Sequence, residues 1–391
     1  MKYPHHNPSK RRTKSSLKSA RLLRQDGGMA EIDFSLLDIP RTVPVVDPEA
    51  YLRAAIAWHF GQDTGSPFWL RMAPNLDFDP LTDVNGFDDL RLFPNLVNEL
   101  RDTPVQDLIP RGYGSPAPVP KIFESGGTTG APKRTAQLPD WVEQVTRWQL
   151  EDFTTGGFVG GQGLLFLMPT GPHGVGHFSR AVSERLGSVF FSVDLDPRWV
   201  KKIATRGVGA EVSAYVEHVL EQARFVLHTQ DVANLHTSPP LLGAIARDDT
   251  MAELVNQKIR YILLSGAHVD LDTLDLLREI FPRTVIAMAF GSTMILSQAK
   301  TRLDGDIHVF DPRTPYVVFW VIDPETGERV PHGQRGQVVM NHIGKGMFIP
   351  NNLERDTAIR RQGPGGQIGD SVSEVAPVAT FEGEAVIEGV Y

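Results

Sequence analysis

The residues most able to do chemistry lie in one stretch, Phe123–Arg134, with the sequence Phe-Glu-Ser-Gly-Gly-Thr-Thr-Gly-Ala-Pro-Lys-Arg. Its glycines let backbone N–H groups approach a ligand closely, and its hydroxyls and two cations add donors and positive charge. Such a set of groups is typical of a phosphate-binding loop. The spacing is not that of a Walker loop, because Ala131-Pro132 separates Gly130 from Lys133. A flexible surface turn is the alternative interpretation.

The residues on either side of this loop predict a strand before it and a helix after it. Lys121–Phe123 has the character of a strand end, and Asp140 with Glu143 has the spacing of a helix capping box. Apolar residues then recur at helical intervals from Trp141 to Phe153. The predicted order is strand, loop, short connection and helix, an arrangement suited to holding phosphate.

Strand-like and helical patterns alternate from Phe123 to about Phe290. The strand candidates are Gly163–Pro169, Val189–Val193, Tyr261–Leu264 and Thr284–Phe290. The helix candidates are Trp141–Phe153, Phe178–Leu186, Glu211–Ala223, Pro240–Ala246 and Leu271–Phe281. Such alternation predicts an α/β fold with mixed or largely parallel sheets flanked by helices. In sheets of this kind the ligand crevice lies at the carboxyl ends of the strands.

Changes of composition predict three regions along the chain. Residues 1–28 contain eight Lys and Arg against one Asp, which predicts a disordered basic tail or an extension upstream of the true translation start. Residues 29–306 form the predicted α/β core. At its start we expect a helix over Asp47–Phe60 with Asp47 as N-cap, and a helical pattern over Phe87–Arg101 that its proline divides in two.

Residues 307–391 form a predicted small β subdomain, similar to a distorted barrel. Tyr316–Ile322 and Gly336–Met340 are strand candidates joined by a Pro/Gly turn, which predicts an antiparallel hairpin. The last strand candidate is Ala385–Tyr391. The charged stretch Arg360–Asp370 is interpreted either as a hinge or as an exposed loop.

Composition excludes several classes of function. The net charge of −8 argues against general nucleic-acid binding. The chain has no cysteine, which excludes disulfides, thiolate metal sites and a thioester on the protein itself. No apolar run approaches the roughly 20 residues of a membrane span, and the N-terminus lacks the apolar core of a signal peptide. These features predict a cytoplasmic enzyme without a membrane or nucleic-acid partner.

The full string Ser-Gly-Gly-Thr-Thr-Gly-Ala-Pro-Lys at 125–133 resembles the phosphate loop of the adenylate-forming superfamily. That superfamily includes acyl-CoA synthetases, peptide-synthetase adenylation domains and firefly luciferase. Five further stretches follow in the order of its motifs, so the resemblance extends from Phe123 to the C-terminus. Within the superfamily the chain resembles the adenylating proteins of phenazine-antibiotic biosynthesis, and more distantly phenylacetate-CoA ligase-like proteins and the acyl-protein synthetases of bacterial bioluminescence.

The resemblance implies roles for particular residues. His173 resembles the histidine of the acyl-pocket motif, although a structural histidine is the alternative. Ser265–His268 resembles the loop on which adenine stacks, and a turn capped by Asp270 would use the same residues. Asp356, with Glu354 as second choice, is implied as the carboxylate that binds the ribose hydroxyls.

Taken together, the implied sites overlap. The implied nucleotide-binding residues are Ser125, Gly126, Gly127, Thr128, Thr129, Gly130, Lys133, Ser265, Gly266, Ala267, Phe290, Gly291, Ser292, Thr293 and Asp356. The implied catalytic residues are Thr128, Lys133, His173 and Thr293. The implied substrate pocket consists of Phe166, His173, Gly174, Phe178, Gly266 and Phe290.

The sequence departs from the superfamily at position 294. Ala289–Met294 resembles the aromatic-Gly-x-Thr-Glu motif, in which the aromatic residue packs on adenine, the threonine meets the α-phosphate and the acid holds Mg²⁺. Met294 stands where the acid is expected, and its thioether does not suit a cation that prefers oxygen ligands. ATP is therefore implied as cofactor, with Mg²⁺ held without the usual glutamate and with no protein metal ligand predicted.

The implied activity is the ATP-dependent conversion of an aromatic carboxylic acid to an acyl-adenylate in specialised metabolism. A truncated member is expected, since the sequence ends near the hinge that usually precedes a mobile C-terminal domain carrying a catalytic lysine. The expected partners are a reductase, a carrier or another partner protein, and a homodimer is possible. The alternatives are a non-catalytic binder of an aromatic metabolite or nucleotide, and a fatty-acyl activating subunit that needs a partner.

Overall fold

The computed structural model describes residues 32–126, 131–204, 206–207, 209–378, 380–381 and 384–385. From Phe34 onward they belong to one unit. Its α-helices are α1 Pro48–Phe60, α2 Pro67–Met72, α3 Pro80–Asp83, α4 Pro139–Gly156, α5 Gly174–Arg185, α6 Pro197–Ala204, α7 Gly209–Thr229, α8 Pro239–Arg247, α9 Asp249–Lys258 and α10 Leu271–Ile280. Short 3-10 helices lie at Phe34–Leu37, Ala73–Asn75, Phe87–Leu92, Val97–Arg101, Val105–Leu108, Arg111–Tyr113 and Thr293–Ile295.

The first long helix begins where the sequence predicts. Pro48 is its first residue, and the backbone N–H of Ala50 donates to Oδ1 of Asp47 at 2.9 Å. The prediction over Phe87–Arg101 is right about the break but wrong about the helix type. Two 3-10 helices form there, one on each side of Pro94, which cannot donate a backbone hydrogen bond.

The α/β prediction is confirmed by a five-stranded parallel sheet. A small antiparallel pair precedes it, formed by β1 Lys121–Glu124 and β2 Arg134–Gln137. The parallel strands are β3 Gly163–Leu167, β4 Phe190–Ser192, β5 Val232–Thr237, β6 Tyr261–Leu264 and β7 Val285–Met288, in the spatial order β4-β3-β5-β6-β7. The side chains of β3, β5 and β6 are buried throughout, as expected for strands covered on both faces.

Alternate side chains of these strands pack on opposite faces of the sheet. Leu165, Leu235 and Ile262 belong to the cluster that includes α7–α10, whereas Phe166 and Leu263 belong to the cluster that includes Phe153 of α4. This is the period-two alternation that a strand imposes. The helices thus cover both faces and leave the strand ends open to a ligand.

Strand β5 escaped prediction because Asn234 and His236 interrupt its apolar run. Both side chains are buried, and both are hydrogen-bonded. The amide of Asn234 accepts from the N–H of Val159 at 2.8 Å and donates to its carbonyl at 3.0 Å, which fixes the loop before β3. A buried polar group with partners costs little, so the strand tolerates both residues.

A six-stranded antiparallel sheet forms the second half of the unit. After the short pair β8 Gly291–Ser292 and β9 Ser297–Gln298, its strands are β10 Lys300–Asp304, β11 Ile307–Asp311, β12 Val317–Ile322, β13 Arg335–Ile343, β14 Phe348–Arg361 and β15 Ser371–Pro377, in the order β10-β11-β15-β14-β13-β12. A last pair, β16 Thr380–Phe381 and β17 Glu384–Ala385, follows it.

The predicted hairpin is confirmed as β12 and β13, which pair antiparallel from Val317 opposite His342 to Ile322 opposite Gln337. The predicted domain boundary at residue 306 falls in the turn between β10 and β11, so the sheet begins before it. The division into 29–306 and 307–391 stays a prediction, as does the tail over residues 1–28. The strand expected at Ala385–Tyr391 lies outside the described residues beyond position 385.

The N-terminal helices cover the antiparallel sheet. Trp69 Nε1 donates to the carbonyl of Phe348 at 3.0 Å, and the hydroxyl of Tyr51 donates to the carbonyl of Ile343 at 2.5 Å. A buried indole or phenol needs such a partner for its polar atom. These bonds hold the end of β13 and the start of β14, and β14 carries part of the candidate site.

Candidate functional site

A cavity of about 510 Å³ opens at the carboxyl ends of β6 and β7, against β14 and β15. This volume is within the range of small-molecule sites. The candidate residues that line it are Ser125, Gly126, Lys133, Gly266, Ala267, Phe290, Gly291, Ser292, Thr293, Glu354 and Asp356. They come from four separate parts of the chain, and the sequence motifs therefore converge on one space.

The phosphate-loop candidate connects two paired strands. The backbone N–H of Ser125 donates to the carbonyl of Lys133 at 3.0 Å, and the N–H of Lys133 donates to Oγ of Ser125 at the same distance. The four predicted residues between these ends, Gly127, Thr128, Thr129 and Gly130, lie outside the described residues. The hydrogen bonds of β1 and β2 thus fix both ends of the loop at the cavity.

The element after the loop differs from the prediction. Strand β2 occupies the short connection, and α4 begins at Pro139 with Leu138 as N-cap. The capping box at Asp140 and Glu143 is wrong, because Asp140 accepts from the hydroxyl of Tyr113 at 2.9 Å and from the N–H of Trp141 at 2.8 Å. A tertiary contact has therefore taken the carboxylate that the local pattern assigned to the cap.

Glu124, just before the loop, lies between two arginines. Its carboxylate accepts from Arg134 at 2.9 Å and from Arg198. Burial alone would raise the pKa of Glu124, but the hydrogen bonds from Arg134 and Arg198 outweigh it and hold the pKa below its usual value. The carboxylate is ionised at neutral pH and orders the chain where it enters the loop.

His173 lies at the N-cap of α5 and outside the lining of the cavity. The carbonyl of Pro172 accepts from the N–H of Glu124 at 2.7 Å, which places His173 next to the end of β1. Burial, followed by the charge of Arg198, lowers the pKa of His173. A neutral imidazole at this position can donate one hydrogen bond and accept another. The neighbouring His177 packs on Phe123, with ring centroids 5.5 Å apart.

Besides His173, three predicted pocket residues do not line the cavity. Phe166 is fully buried in β3 and packs on Phe190, and Phe178 is buried in α5 against Phe123. Gly174 also lies outside the lining, next to the ring of Phe178. The apolar residues of a buried strand and helix face serve the core here, so the pocket assignment of Phe166 and Phe178 is corrected.

The loop after β6 reaches the cavity through Gly266 and Ala267. Gly266 has φ of 84°, a conformation that favours glycine, and this turns the backbone into the site. His268 is held from β15, where the carbonyl of Val375 lies 2.6 Å from its Nδ1. The alternative prediction, a turn capped by Asp270, is confirmed, since Oδ1 of Asp270 accepts from the N–H of Thr273 at 2.7 Å and caps α10. The contact with adenine stays a prediction. The loop can line the cavity through Gly266 and Ala267 while Asp270 caps α10.

Ser265 begins a buried polar chain that sequence reasoning missed. Its Oγ lies 2.8 Å from Nε2 of His236, and Nδ1 of His236 lies 3.0 Å from Oγ of Ser179. Burial lowers the pKa of His236 to about 3, so the imidazole is neutral. The only sequence signal was a histidine inside an otherwise apolar strand. This chain fixes Ser265 and hence the start of the loop that lines the cavity.

The loop after β7 carries Phe290 and Thr293 into the site. The N–H of Ala299 donates to the carbonyl of Phe290 at 2.8 Å and closes the hairpin of β8 and β9. Gly291 is required there, since a Cβ atom would lie 2.7 Å from the carbonyl oxygen of Ser297. The indole of Trp141 donates to the carbonyl of Leu296 at 2.9 Å and anchors the turn to α4.

Met294 follows Thr293, and it lines the cavity while also packing in the core. Its side chain is 4% exposed and packs in the cluster of the antiparallel sheet and N-terminal helices. A carboxylate in that environment would need a partner, whereas a thioether needs none. The burial explains why this position tolerates a methionine.

Strand β14 brings two carboxylates to the cavity, Glu354 and Asp356. Oε1 of Glu354 accepts from Oγ of Ser292 at 2.9 Å and from Nδ2 of Asn352 at 2.7 Å. All residues from 352 to 356 line the cavity, so this stretch does not alternate between two faces as a regular strand would. The register of β13 and β14 shifts between Gln337 and Val339, next to this pair. A bulge of this kind commonly redirects side chains beside a site.

Comparisons with known proteins show which proteins this chain is similar to. No protein-family model matches the chain. A 4-coumarate–CoA ligase of Glycine max is 23% identical over 145 residues, which cover 34% of this chain and 50% of the ligase. The match thus spans half the length of that relative.

Two solved structures of a 2-hydroxyisobutyryl-CoA ligase are similar over most of this chain. The ligase in its postadenylation state, in complex with R3-HIB-AMP, has a TM-score of 0.57 at 17% identity, covering 88% of this chain and 70% of the ligase. The same ligase with 2-HIB-AMP and CoA, in its thioesterification state, has a TM-score of 0.56 at 15% identity, covering 83% and 66%. The chain therefore shares the fold of this CoA ligase over most of its length.

The described residues provide few ligands for a metal ion. Among the described residues, no group of three or more His, Asp or Glu could hold a cation alone. Glu354 and the hydroxyls of Ser292 and Thr293 nevertheless provide oxygen donors at the cavity. Mg²⁺ is commonly held by one or two carboxylates together with phosphate oxygens and water, so these residues fit it as a companion of a bound triphosphate. No described helix has the length and hydropathy to cross a bilayer.

Proposed function

We propose that this protein uses ATP to activate a carboxylic acid as an acyl-adenylate. The observation that carries the proposal is the convergence of the loop ends at Ser125 and Lys133, the loops after β6 and β7, and β14 on one cavity. The site lies at the carboxyl ends of parallel strands, where such sheets bind ligands. The adenylate-forming fold supports the same reaction class.

Each lining segment has a role in this proposal. Lys133 and the loop residues Ser125–Gly130 bind the phosphates, and Gly266, Ala267 and Phe290 contact the adenine. Thr293 donates to the α-phosphate, and Asp356 accepts from the ribose hydroxyls. Phe290 already packs on Phe310 at 5.5 Å between ring centroids, which stiffens the wall against which a base would stack.

The chemical step needs little from the protein beyond positioning. A carboxylate oxygen attacks the α-phosphorus, a new oxygen–phosphorus bond forms, and the bond to the bridging oxygen breaks to release pyrophosphate. No proton has to be removed from the attacking group, because the acid is already ionised. The positive charge of Lys133 and the N–H and hydroxyl donors of the loops stabilise the charge that builds up on phosphorus-bound oxygens. Mg²⁺, when bound, would neutralise part of the phosphate charge.

The class of acid is proposed from the resemblance of the motifs. An aromatic acid of specialised metabolism, as in phenazine-antibiotic biosynthesis, is the first choice, with His173 beside its carboxylate. The product would pass to a reductase, a carrier or another partner. A cytoplasmic location and a homodimer stay predictions.

Pyrophosphate release from ATP, measured with a panel of aryl and fatty acids, tests the proposal. Release that depends on an aryl acid supports it, and release with fatty acids alone, or only after adding a partner protein, supports a fatty-acyl activating subunit. Tight binding of ATP or of an aryl compound without release under any condition would contradict the enzyme and leave a binding protein. The substitution Lys133→Ala should abolish pyrophosphate release that is catalysed at this site.

A further inference from the structure

Glu354 is a candidate carboxylate of the cavity that accepts hydrogen bonds from two other side chains. It lies on β14, 62 positions along the chain from Ser292, which donates to its Oε1 at 2.9 Å. Asn352 donates to the same oxygen at 2.7 Å. In the described part of the chain, both side-chain hydrogen bonds to this carboxylate therefore reach Oε1, and both donors are neutral.

The position of this carboxylate is unfavourable for an anionic ligand on its own. Glu354 lines the same cavity as Ser125 and Lys133, where the proposed function puts a triphosphate. Arg335 and Arg355 also line the cavity, but no salt bridge among the described residues includes Glu354, and Ser292 and Asn352 leave its charge in place. Like charges in one cavity repel each other unless a cation lies between them.

The adjacent turn lacks the carboxylate that would otherwise hold such a cation. Met294 is buried in the core and offers no oxygen. Yet its backbone N–H donates at 3.1 Å to Oγ of Ser292, the hydroxyl that binds Glu354. One serine thus ties the middle of β14 to the 3-10 helix Thr293–Ile295, and Glu354 stands beside the turn from which a carboxylate is missing.

We propose that Glu354 supplies the protein carboxylate for the divalent cation that accompanies ATP, with Ser292 and Asn352 as its positioning residues. This inference rests on the proposed function, because it requires a triphosphate in the cavity. The donors on Oε1 leave Oε2 for the cation, and phosphate oxygens and water complete its oxygen ligands. A carboxylate from a neighbouring strand thereby serves where position 294 cannot.

Nucleotide binding, measured by calorimetry with excess Mg²⁺ and with EDTA, tests this role without relying on activity. Wild-type protein should bind ATP at least about tenfold more tightly with Mg²⁺. In Glu354→Gln, which keeps the shape and an acceptor for Ser292, the gain should fall to within about twofold. With EDTA, Glu354→Gln should bind ATP as tightly as the wild type or more tightly, since a like charge has been removed. Glu325→Gln, in an exposed turn, is the matched control and should behave as wild type.

Mn²⁺ bound in the presence of ATP, followed by electron paramagnetic resonance, gives a second readout. The signal of protein-bound Mn²⁺ should weaken in Glu354→Gln and return in the double variant Glu354→Gln/Met294→Glu. Ser292→Ala should reduce the Mg²⁺ gain in affinity while binding in EDTA is unchanged.

Three results would overturn the assignment while leaving the proposed function intact. The first is an unchanged Mg²⁺ gain in Glu354→Gln. The second is an equal loss of affinity with and without the metal, which would identify Glu354 as a ligand of the ribose hydroxyls. The third is an unchanged Mn²⁺ signal. If ATP binds to none of the proteins, wild type included, in either buffer, the proposed function itself fails.

Discussion

Arg360 and Asp370 form a salt bridge across the turn between β14 and β15, with Nε of Arg360 2.7 Å from Oδ1 of Asp370. The other oxygen of Asp370 accepts from the N–H of Val321 at 3.0 Å, and Arg360 also donates to the carbonyl of Val330 at 2.7 Å. The carboxylate is 3% exposed. The sequence left this stretch open between a hinge and an exposed charged loop, and the structure gives Arg360 and Asp370 a buried structural role.

Asp370→Asn should therefore destabilise the protein strongly. Removing one partner of a buried pair leaves the other charge uncompensated, at a cost of roughly 3 kcal/mol. The free energy of unfolding in urea measures this. Asp275→Asn is the control, since its carboxylate is 68% exposed and pairs with Arg278 on the surface of α10. That variant should change the stability by less than about 1 kcal/mol. Equal effects of the two substitutions would contradict the structural role.

Lys133→Ala should weaken ATP binding by about tenfold to a hundredfold, because a charged hydrogen bond contributes roughly 1.5–3 kcal/mol. The affinity for AMP, which lacks the two outer phosphates, should be reduced less by the same substitution. Equilibrium binding of both nucleotides measures the difference. Lys300→Ala is a matched control, since Lys300 forms an exposed pair with Glu151 at 3.7 Å. A loss for AMP as large as that for ATP would place Lys133 away from the outer phosphates.

Asp356→Asn should lower the affinity for ATP but hardly change that for 3′-deoxy-ATP. In the proposed site the carboxylate accepts from the ribose hydroxyls, one of which the deoxy nucleotide lacks, so the two changes should not add. A double-mutant cycle, in which one change is Asp356→Asn and the other is the loss of the 3′-hydroxyl from the nucleotide, measures the coupling free energy between the two groups. If the substitution weakens both nucleotides equally, Asp356 does not bind that hydroxyl.

Gly291→Ala should disturb the turn that carries Thr293. The added Cβ would lie 2.7 Å from the carbonyl oxygen of Ser297, so the backbone at Gly291 and at Ser297 would have to move apart. Pyrophosphate release should fall by about tenfold or more, since small displacements of positioning groups are costly. Gly209→Ala, where a Cβ atom meets no other atom within 4 Å, is the control and should keep wild-type activity. Wild-type activity in both variants would show that the turn tolerates rearrangement.

Stability should fall as the pH is lowered from 6.5 toward 5. Burial lowers the pKa of His236 to about 3, so the folded state keeps this imidazole neutral while the unfolded chain takes up a proton below pH 6.5. The loss approaches about 1.4 kcal/mol per pH unit for one such histidine. His59 and His342, with pKa values lowered by burial to about 4 and about 3, add to it.

His236→Gln isolates the contribution of one histidine, since glutamine can still hydrogen-bond to Ser179 and Ser265. Urea unfolding at pH 7, 6 and 5 should give a shallower dependence on pH than the wild type, by about 1 kcal/mol per unit. Parallel dependences would mean that His236 is protonated in the folded state.

Local patterns predicted the parts of the fold that local chemistry determines. The cap at Asp47, the strands around Leu164 and Ile262 and the hairpin of β12 and β13 follow from residue types within a few positions. The loops at Gly266 and Gly291 also lie where the motifs put them, because their backbone conformation depends mainly on their own residues.

Long-range contacts account for the rest. Asp140 lost its predicted cap role to Tyr113, which lies 27 positions away. Strand β5 was missed because the partners that satisfy its Asn234 and His236 come from elsewhere in the fold. Phe166 and Phe178 have the composition of a pocket wall, and only the packing reveals them as core. The hydrogen bond from Ser292 to Glu354 likewise depends on how β14 docks, which no local pattern encodes.

The lining of the cavity also bears on how the protein is made. Its residues come from the loop ends near Ser125, from the loops that follow β6 and β7, and from β14 and β15. No fragment that ends before β14 contains all of them, so the parallel sheet alone cannot form the site as it leaves the ribosome. Nucleotide can stabilise the nascent chain only after β15 has emerged and paired with β14, so formation of the binding site depends on the synthesis of β15.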